Sequence, residues 1–350
     1  MRVFTTLPQA DLRQVASAAA KAEAEGYDGL MTMENRYNPF LALAVAATAT
    51  ERIGLATGIA IAFARSPMTV ANISWDLQRA SAGRFTLGLG SQVKAHNERR
   101  FSVPWSPPAP RLGEYVEALR AIWHCWARGE KLDYQGQHYR FTLMTPAFTP
   151  EPSGQPMAPV TLAAVGPAML RRAGRVADGV RLHPFCTRKY LVETVLPTVE
   201  VGLAESPLQR ACFEVSGGGF IATGADDEAV ARMAEWVRRR VGFYGSTRDY
   251  WPVLAAHGLE DLGQKLLTLS RAGRWDDMAA EVSDDVVRLF AVVARHDELA
   301  AAVEERFAGL SDAVNASANV EMPTELPPDL IRDLRRIPTR FAGFDTARWD

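Results

Sequence analysis

Short β-rich runs exchange with longer helical ones along almost the whole chain, a rhythm that belongs to βα units built around a parallel sheet. The first half shows it best. Residues 2–6 read as a strand, 10–25 as an Ala-rich helix stopped by Gly26, and 27–32 as the second strand. Glycine suits that stop because it accepts positive φ without a Cβ clash. A helix over 39–50, a strand over 53–61, a helix over 67–81 closed by Gly83 and a strand over 84–90 follow. Within 111–128, Leu112, Val116, Leu119 and Trp123 recur at helical spacing. Later strands at 160–164, 179–182, 213–223 and 286–293 alternate with helices at 168–176, 188–203, 227–240 and 296–307.

About eight strands, each followed by a helix, fit a (β/α)8 TIM barrel of roughly 250 residues with insertions after strands 4 and 7. The barrel is expected to occupy residues 1–310, with insertions at about 129–159 and 242–285, the first reading as a β-hairpin around Tyr134, Gly136, Tyr139 and Phe141. Residues 311–350 read as a Pro-rich tail that packs over the surface or interlocks with a partner. The alternative, a doubly wound sheet, wants a GxGxxG turn after the first strand, and Thr6-Leu7-Pro8-Gln9 offers none.

Charge and cysteine usage narrow the partners. Lys and Arg number 39 against 41 Asp and Glu, a net charge of −2, so there is no basic excess for nucleic acid, and a small-molecule substrate is expected instead. Cys125, Cys186 and Cys212 lie far apart and form no metal-ligand spacing, and the six histidines form no HxH or HExxH, so no metal site is expected. A reducing cytoplasm fits, and no run approaches the roughly 18 apolar residues of a membrane span. The helix Phe40 to Thr50 carries no charge on any face. An outer barrel helix normally meets water on one side, so either a subunit interface, giving a homodimer, or one of the chain's own insertions is expected to cover it.

In such barrels ligands lie at the carboxyl ends of the strands. Glu34 follows the second strand, as a site acid or as a helix N-terminal acid. After the third, Ser66-Pro67 is an N-cap and N1 pair, which leaves Arg65 facing a site or in a salt bridge. After the fourth come the glycine pair Gly88 and Gly90, which would let a flat ring approach the backbone, and His96, a proton donor or a loop hydrogen-bonder. Ala164-Val165-Gly166-Pro167 opens a helix whose amides can hold an anion, and His183 points to the same mouth. Trp105, Tyr139, Phe141, Tyr244 and Trp251 are candidates for an apolar mouth for a planar or lipid-like molecule, or for satellite core.

Together these motifs resemble the luciferase-like monooxygenases, in the branch that uses the deazaflavin coenzyme F420. The matching residues are Gly26-Tyr27-Asp28-Gly29 with Glu34, Thr57-Gly58-Ile59 with Arg65-x-Pro67, and Ser81-x-Gly83-Arg84-Phe85-Thr86-Leu87-Gly88-Leu89-Gly90. Ala164-x-Gly166-Pro167, Ala173-Gly174-x-x-Ala177-Asp178-Gly179 and Phe243-Tyr244-Gly245-Ser246-Thr247 continue the series. The resemblance implies a non-prolyl cis peptide at Gly58-Ile59 forming a bulge behind the ring, Asn97 and Glu34 near the ring, and the amides of Ala164, Val165 and Gly166 on the cofactor phosphate. Where relatives carry an acid-histidine pair, this chain has Glu34-Asn35, so His96 or His183 is expected to take over proton transfer beside Glu34. Arg65 and His183 are expected to touch substrate.

The activity implied is hydride transfer between F420 and an organic substrate, with a flavin or F420 reductase as electron source. Two rivals keep the fold: a two-component monooxygenase using reduced FMN, and a non-catalytic flavin-binding barrel.

Overall fold

A computed structural model describes residues 1–316 and 325–345. Eight parallel strands close into the expected barrel. In chain order they begin with β1 (Arg2–Thr6), β2 (Gly29–Thr32), β3 (Gly54–Thr57) with its short continuation β4 (Ala60–Ile61), and β5 (Phe85–Gly90). The hairpin β6 (Tyr134–Gln135) and β7 (Arg140–Phe141) is antiparallel and lies outside the barrel, as expected of the first insertion. β8 (Val160–Ala164), β9 (Gly179–Leu182) and β10 (Glu214–Ser216) resume the ring. β5 pairs with β3 on one side and β8 on the other.

The last quarter differs from the sequence reading. The expected strand 213–223 is split: β10 stays in the barrel, while β11 (Phe220–Gly224) leaves it and pairs with β12 (Ala291–Arg295) in a separate two-stranded sheet. Gly217 and Gly218, at φ 85° and 110°, make the turn between them, a conformation that residues with a Cβ rarely adopt. The strand expected at 286–293 is instead a helix, Asp284–Phe290, whose N-cap Ser283 accepts the amide of Val286, followed by β12. The eighth barrel strand is β13 (Ala313–Asn315), inside the stretch read as tail, and it sits between β1 and β10.

The strands are fastened at their amino ends by a repeated device. The aspartate preceding one strand accepts the first amides of its neighbour: Asp28 takes the Val3 amide at 2.9 Å, Asp178 that of Val160 at 2.8 Å, and Asp312 that of Val215 at 2.8 Å. Asp312 also accepts Arg210 Nη2 at 2.9 Å and the amides of Arg340 and Phe341 at 3.1 Å, tying the C-terminal segment under the barrel. Each bond satisfies an otherwise orphaned strand-end donor.

Around the ring, α1 (Val15–Glu25) ends on Gly26 at φ 93°, α2 (Pro39–Ala49) is N-capped by Asn38, and α3 (Pro67–Ala80) by Ser66, whose hydroxyl accepts the Met68 amide. α4 (Lys94–Arg100) is a short helix in what reads as loop, and α5 (Pro108–Arg128) buries Leu112, Val116, Leu119 and Trp123 as its spacing predicts. Arg84 of the SxGRF run donates to the carbonyls of Ala47, Thr50, Ile53 and Ser81. That motif is thus a clamp on the end of α2. The outer face of α2 is not covered by either insertion: Leu41 is 55% exposed. Among the described residues no helix is long and apolar enough to cross a membrane.

Candidate active site at the carboxyl rim

The rim is irregular at the end of β3, and the irregularity is built into the sequence. The Gly58-Ile59 peptide is cis. β3 pairs with β5 through Leu55–Phe85 and Ala56–Thr86, then stops. Thr57 replaces the next rung with its side chain: its Oγ1 donates to the Gly88 carbonyl at 2.7 Å and accepts the Gly88 amide at 2.8 Å. The chain bulges at 58–59 and rejoins β5 as β4, Ala60 opposite Leu89.

The glycine pair serves this bulge rather than a ligand. A Cβ at Gly88 would stand 2.0 Å from the Thr57 carbonyl, and one at Gly90 2.8 Å from Ile59 Cδ1. Gly58 has no room either, because Met31 Sδ would meet its Cβ at 1.8 Å. Beneath lies a polar strut: Arg181 of β9 is buried inside the barrel, donates to Thr161 Oγ1 at 2.9 Å, and leaves Nη2 without a protein partner.

Glu34 and Arg65 meet. Arg65 Nη2 donates to Glu34 Oε1 at 2.7 Å and Nη1 to Oε2 at 2.8 Å, while the Ile61 amide donates to the same Oε2 at 2.7 Å. The Glu34 side chain is 8% exposed and that of Arg65 16%. The Arg65 carbonyl accepts Tyr115 Oη, and its guanidinium lies over the Phe40 ring. Both carboxylate oxygens are engaged, so the pair holds the segment after β4 against the rim. Arg65, expected to touch substrate, spends both terminal nitrogens on Glu34.

The two histidines diverge. His96 lies exposed on α4, while its neighbour Asn97 is fully buried. Asn97 Nδ2 donates to the carbonyls of Ser91 and Val93, fixing the loop after β5, and its Oδ1 finds no partner. A buried acceptor left unpaired costs roughly 1–3 kcal/mol, so it marks a place where a donor from outside the chain is welcome.

His183 follows β9. The Phe185 amide donates to its Nδ1 at 2.9 Å. A backbone N–H can only donate, so the single ring proton sits on Nε2. Burial pushes the imidazole down to about 3, with no neighbouring charge contributing. The ring packs against Tyr244 at 4.2 Å and Tyr250 at 4.8 Å between centroids. Burial thus keeps His183 neutral and leaves its Nε2–H as a donor.

A small recess, with room for about one water, joins the end of β8 to that of β9, lined by Ala164, Val165, His183, Phe185, Cys186 and Tyr190 among others. Tyr190 Oη donates to the Val165 carbonyl at 3.0 Å, and α6 (Pro167–Val176) starts just beyond, with open space around Gly166 Cα. Tyr190 leads into a π-helical turn, Leu191–Val195. Such turns recur at functional sites. Of the aromatic residues considered from sequence, Tyr244 reaches the rim; Tyr139 packs on Tyr115, and Trp251 donates to the Gly245 carbonyl. Tyr250 and Phe185 carried no sequence signal beyond their aromatic character.

A family profile described as luciferase-like monooxygenase matches residues 2–312. The chain belongs to the luciferase-like monooxygenase family. An uncharacterized protein of Mycobacterium tuberculosis is 46% identical over 303 residues, covering 87% of this chain and 89% of that one. The F420-dependent glucose-6-phosphate dehydrogenase of Beutenbergia cavernae is 30% identical over 244 residues, 69% of this chain and 68% of that one. In three dimensions the coenzyme F420 dependent tetrahydromethanopterin reductase of Methanopyrus kandleri superposes with a TM-score of 0.75 at 20% identity, covering 96% and 97% of the two chains. In luciferase-like barrels the cofactor would meet the rim described above, and the residues present fit a flat ring with a phosphate: a backbone bulge, an orphaned Asn97 Oδ1 and an uncrowded helix start at Gly166.

Proposed function

We propose that this member of the family is an oxidoreductase that transfers a hydride between coenzyme F420 and an organic substrate. The observation that carries the reading is the buried, partnerless Asn97 Oδ1 on the loop after β5, an acceptor whose own amide nitrogen is spent on the carbonyls of Ser91 and Val93. The F420-dependent relative supports the choice of deazaflavin over FMN. When bound, F420 supplies or accepts the hydride at its ring. The backbone at Gly58-Ile59 backs that ring, and the amides of Ala164, Val165 and Gly166, at the positive end of α6, bind the phosphate. Glu34 and Arg65 hold the bulge in place. His183 Nε2–H donates a hydrogen bond to a substrate oxygen and so orients the reacting carbon. Because its other nitrogen is committed to Phe185, His183 holds the oxygen rather than shuttling a proton, which comes from solvent. An F420 or flavin reductase elsewhere would recharge the cofactor.

The test is a titration of the purified protein with F420 and with FMN, watching cofactor absorbance and fluorescence. Saturable binding of F420 at least about tenfold tighter than FMN is expected, since a matched site must beat its competitor by more than 1.4 kcal/mol. Tighter FMN binding together with oxygen-dependent turnover would overturn the reading. A second copy of the chain is our occupant for the uncharged α2 face, since the chain's own insertions leave Leu41 exposed. Sedimentation of Leu41→Glu should then show a smaller species than the wild type.

A further inference from the structure

The inside of the barrel is packed by setting long side chains against glycines. Gly29 faces Phe4, whose ring would meet a Cβ there at 2.2 Å, and Gly88 faces Arg181, whose Nε would meet one at 2.9 Å. Phe4, Met31, Ala56 and Ala313 form a small apolar cluster of their own, apart from the main core. Two guanidinium groups bear on the Phe4 ring, that of Arg2 at 4.8 Å from the centroid and that of Arg181 at 5.8 Å. Their partners differ. Arg2, at the start of β1, donates to Glu214 Oε1 at 2.6 Å. Arg181 stands two residues before His183, and among the described residues no carboxylate lies within ion-pair distance of it. Its contacts are neutral: Nε donates to Thr161 Oγ1 at 2.9 Å, Nη1 reaches Met31 Sδ at 3.7 Å, and Nη2 has no partner. Met31 in turn fills the space where Gly58 lacks a side chain. Together Arg2, Glu214 and Arg181 leave one net positive charge inside the barrel, one side chain below the Gly58-Ile59 bulge. An arginine keeps its proton even at this depth, so the fold carries an unmatched cation.

We propose that Arg181 is a fixed positive charge that favours the reduced state of the bound cofactor, acting from beneath the bulge that backs the ring. The inference deepens the oxidoreductase reading and rests on it for the position of that ring. In the transfer from an alcohol, a C–H bond breaks on the substrate and a C–H bond forms on the ring. The substrate loses two electrons, releases its O–H proton to solvent and becomes a carbonyl compound; the reverse direction takes these up again. One unit of negative charge thereby enters the ring, and it is this unit that distinguishes the two cofactor states at the bulge. A cation already fixed by Thr161 and Gly88, in an interior that excludes water, stabilises the added charge without having to reorient. Arg181 does not touch the reacting carbon. It sets how firmly the site holds the reduced ring against the oxidised one, and so which direction of transfer is favoured.

The test is anaerobic binding of oxidised and of reduced F420 to the full chain, each followed by calorimetry. The wild type should hold the reduced form at least about tenfold more tightly, which raises the potential about 30 mV above that of free F420 for a two-electron couple. Arg181→Met, which loses the charge and keeps an unbranched chain, should cut that preference at least about fivefold, whereas Arg181→Lys should retain most of it. Glu214→Gln removes the interior's negative charge at constant shape and should strengthen the preference; it gives the answer if melting shows that Arg181→Met does not fold. An Arg181 that serves packing alone would weaken both forms alike when replaced. Equal affinity of the wild type for the two forms, an unchanged ratio in Arg181→Met, loss of preference in Arg181→Lys as large as in Arg181→Met, or no rise in Glu214→Gln would overturn the proposal and leave F420 as cofactor. Binding of FMN and not of F420 would overturn the cofactor reading, and the same ratio for reduced and oxidised FMN then judges Arg181. Binding of neither overturns both.

Discussion

The two sides of the barrel mouth are built on opposite plans. On the β2–β3 side, Glu34 and Arg65 are charged, and their carboxylate and guanidinium fork are matched to each other and to backbone. On the β9 side, His183 packs ring on ring with Tyr244 and Tyr250, and its Nδ1 accepts the Phe185 amide, which leaves Nε2–H as the donor. Charge alone is therefore a poor guide to where chemistry happens in this rim. A saturated ion pair is a brace; a neutral donor facing a cavity is an offer.

The contrast can be broken by substitution, and the largest effect should fall on the brace. Arg65→Met strands a nearly buried carboxylate and should cost about 2–4 kcal/mol in urea unfolding, whereas Arg65→Met with Glu34→Gln should recover much of it. A cost below about 1 kcal/mol would mean that the pair is ordinary surface charge. On the neutral side, His183→Ala should lower F420-dependent turnover of a carbonyl substrate about 10- to 100-fold, the usual range for one lost transition-state donor, with F420 affinity changed less than twofold. Weakened F420 binding in a protein whose wild type shows no turnover to lose would favour a non-catalytic carrier.

Acid sharpens the same contrast. The His183 imidazole is held down to about 3 in the folded protein against 6.5 when exposed, so the unfolded chain binds the extra proton first. Its contribution is complete above pH 6.5 and is lost as pH falls toward 3. Denaturation midpoints should therefore decline by up to about 1.4 kcal/mol per pH unit through that window, and His183→Gln should flatten the slope. The smallest effect belongs to His96: exposed on α4, it should tolerate alanine with less than about a twofold change in turnover or in F420 affinity.

Much of this was legible from residue order. Gly26 and Ser66-Pro67 announced helix ends that the structure has, and the strand read over 179–182 is the one that forms. What failed shows why. Residues 284–293 contain an apolar run that suits helix and strand alike, and Ser283 with two following aspartates was the cap signal that decides for helix. The closing strand, three residues long, is too short to show any period. At the site, sequence placed Glu34, Arg65 and His183 on the rim but could not say which pair with each other, because pairing depends on the bulge at 58–59 and on where an insertion lays Tyr250.

One feature of the ring bears on how the protein is made. β13 slots between the first strand and the seventh, yet it is synthesised after all the other barrel strands. Until residues 313–315 clear the ribosome, the nascent sheet stays open, with two bare parallel edges at β1 and β10 that can recruit a stranger's strand. Emergence of residues 313–315, rather than collapse of the first half, is then the event that seals the ring, and a chain halted before Ala313 is the form a chaperone would be called on to hold.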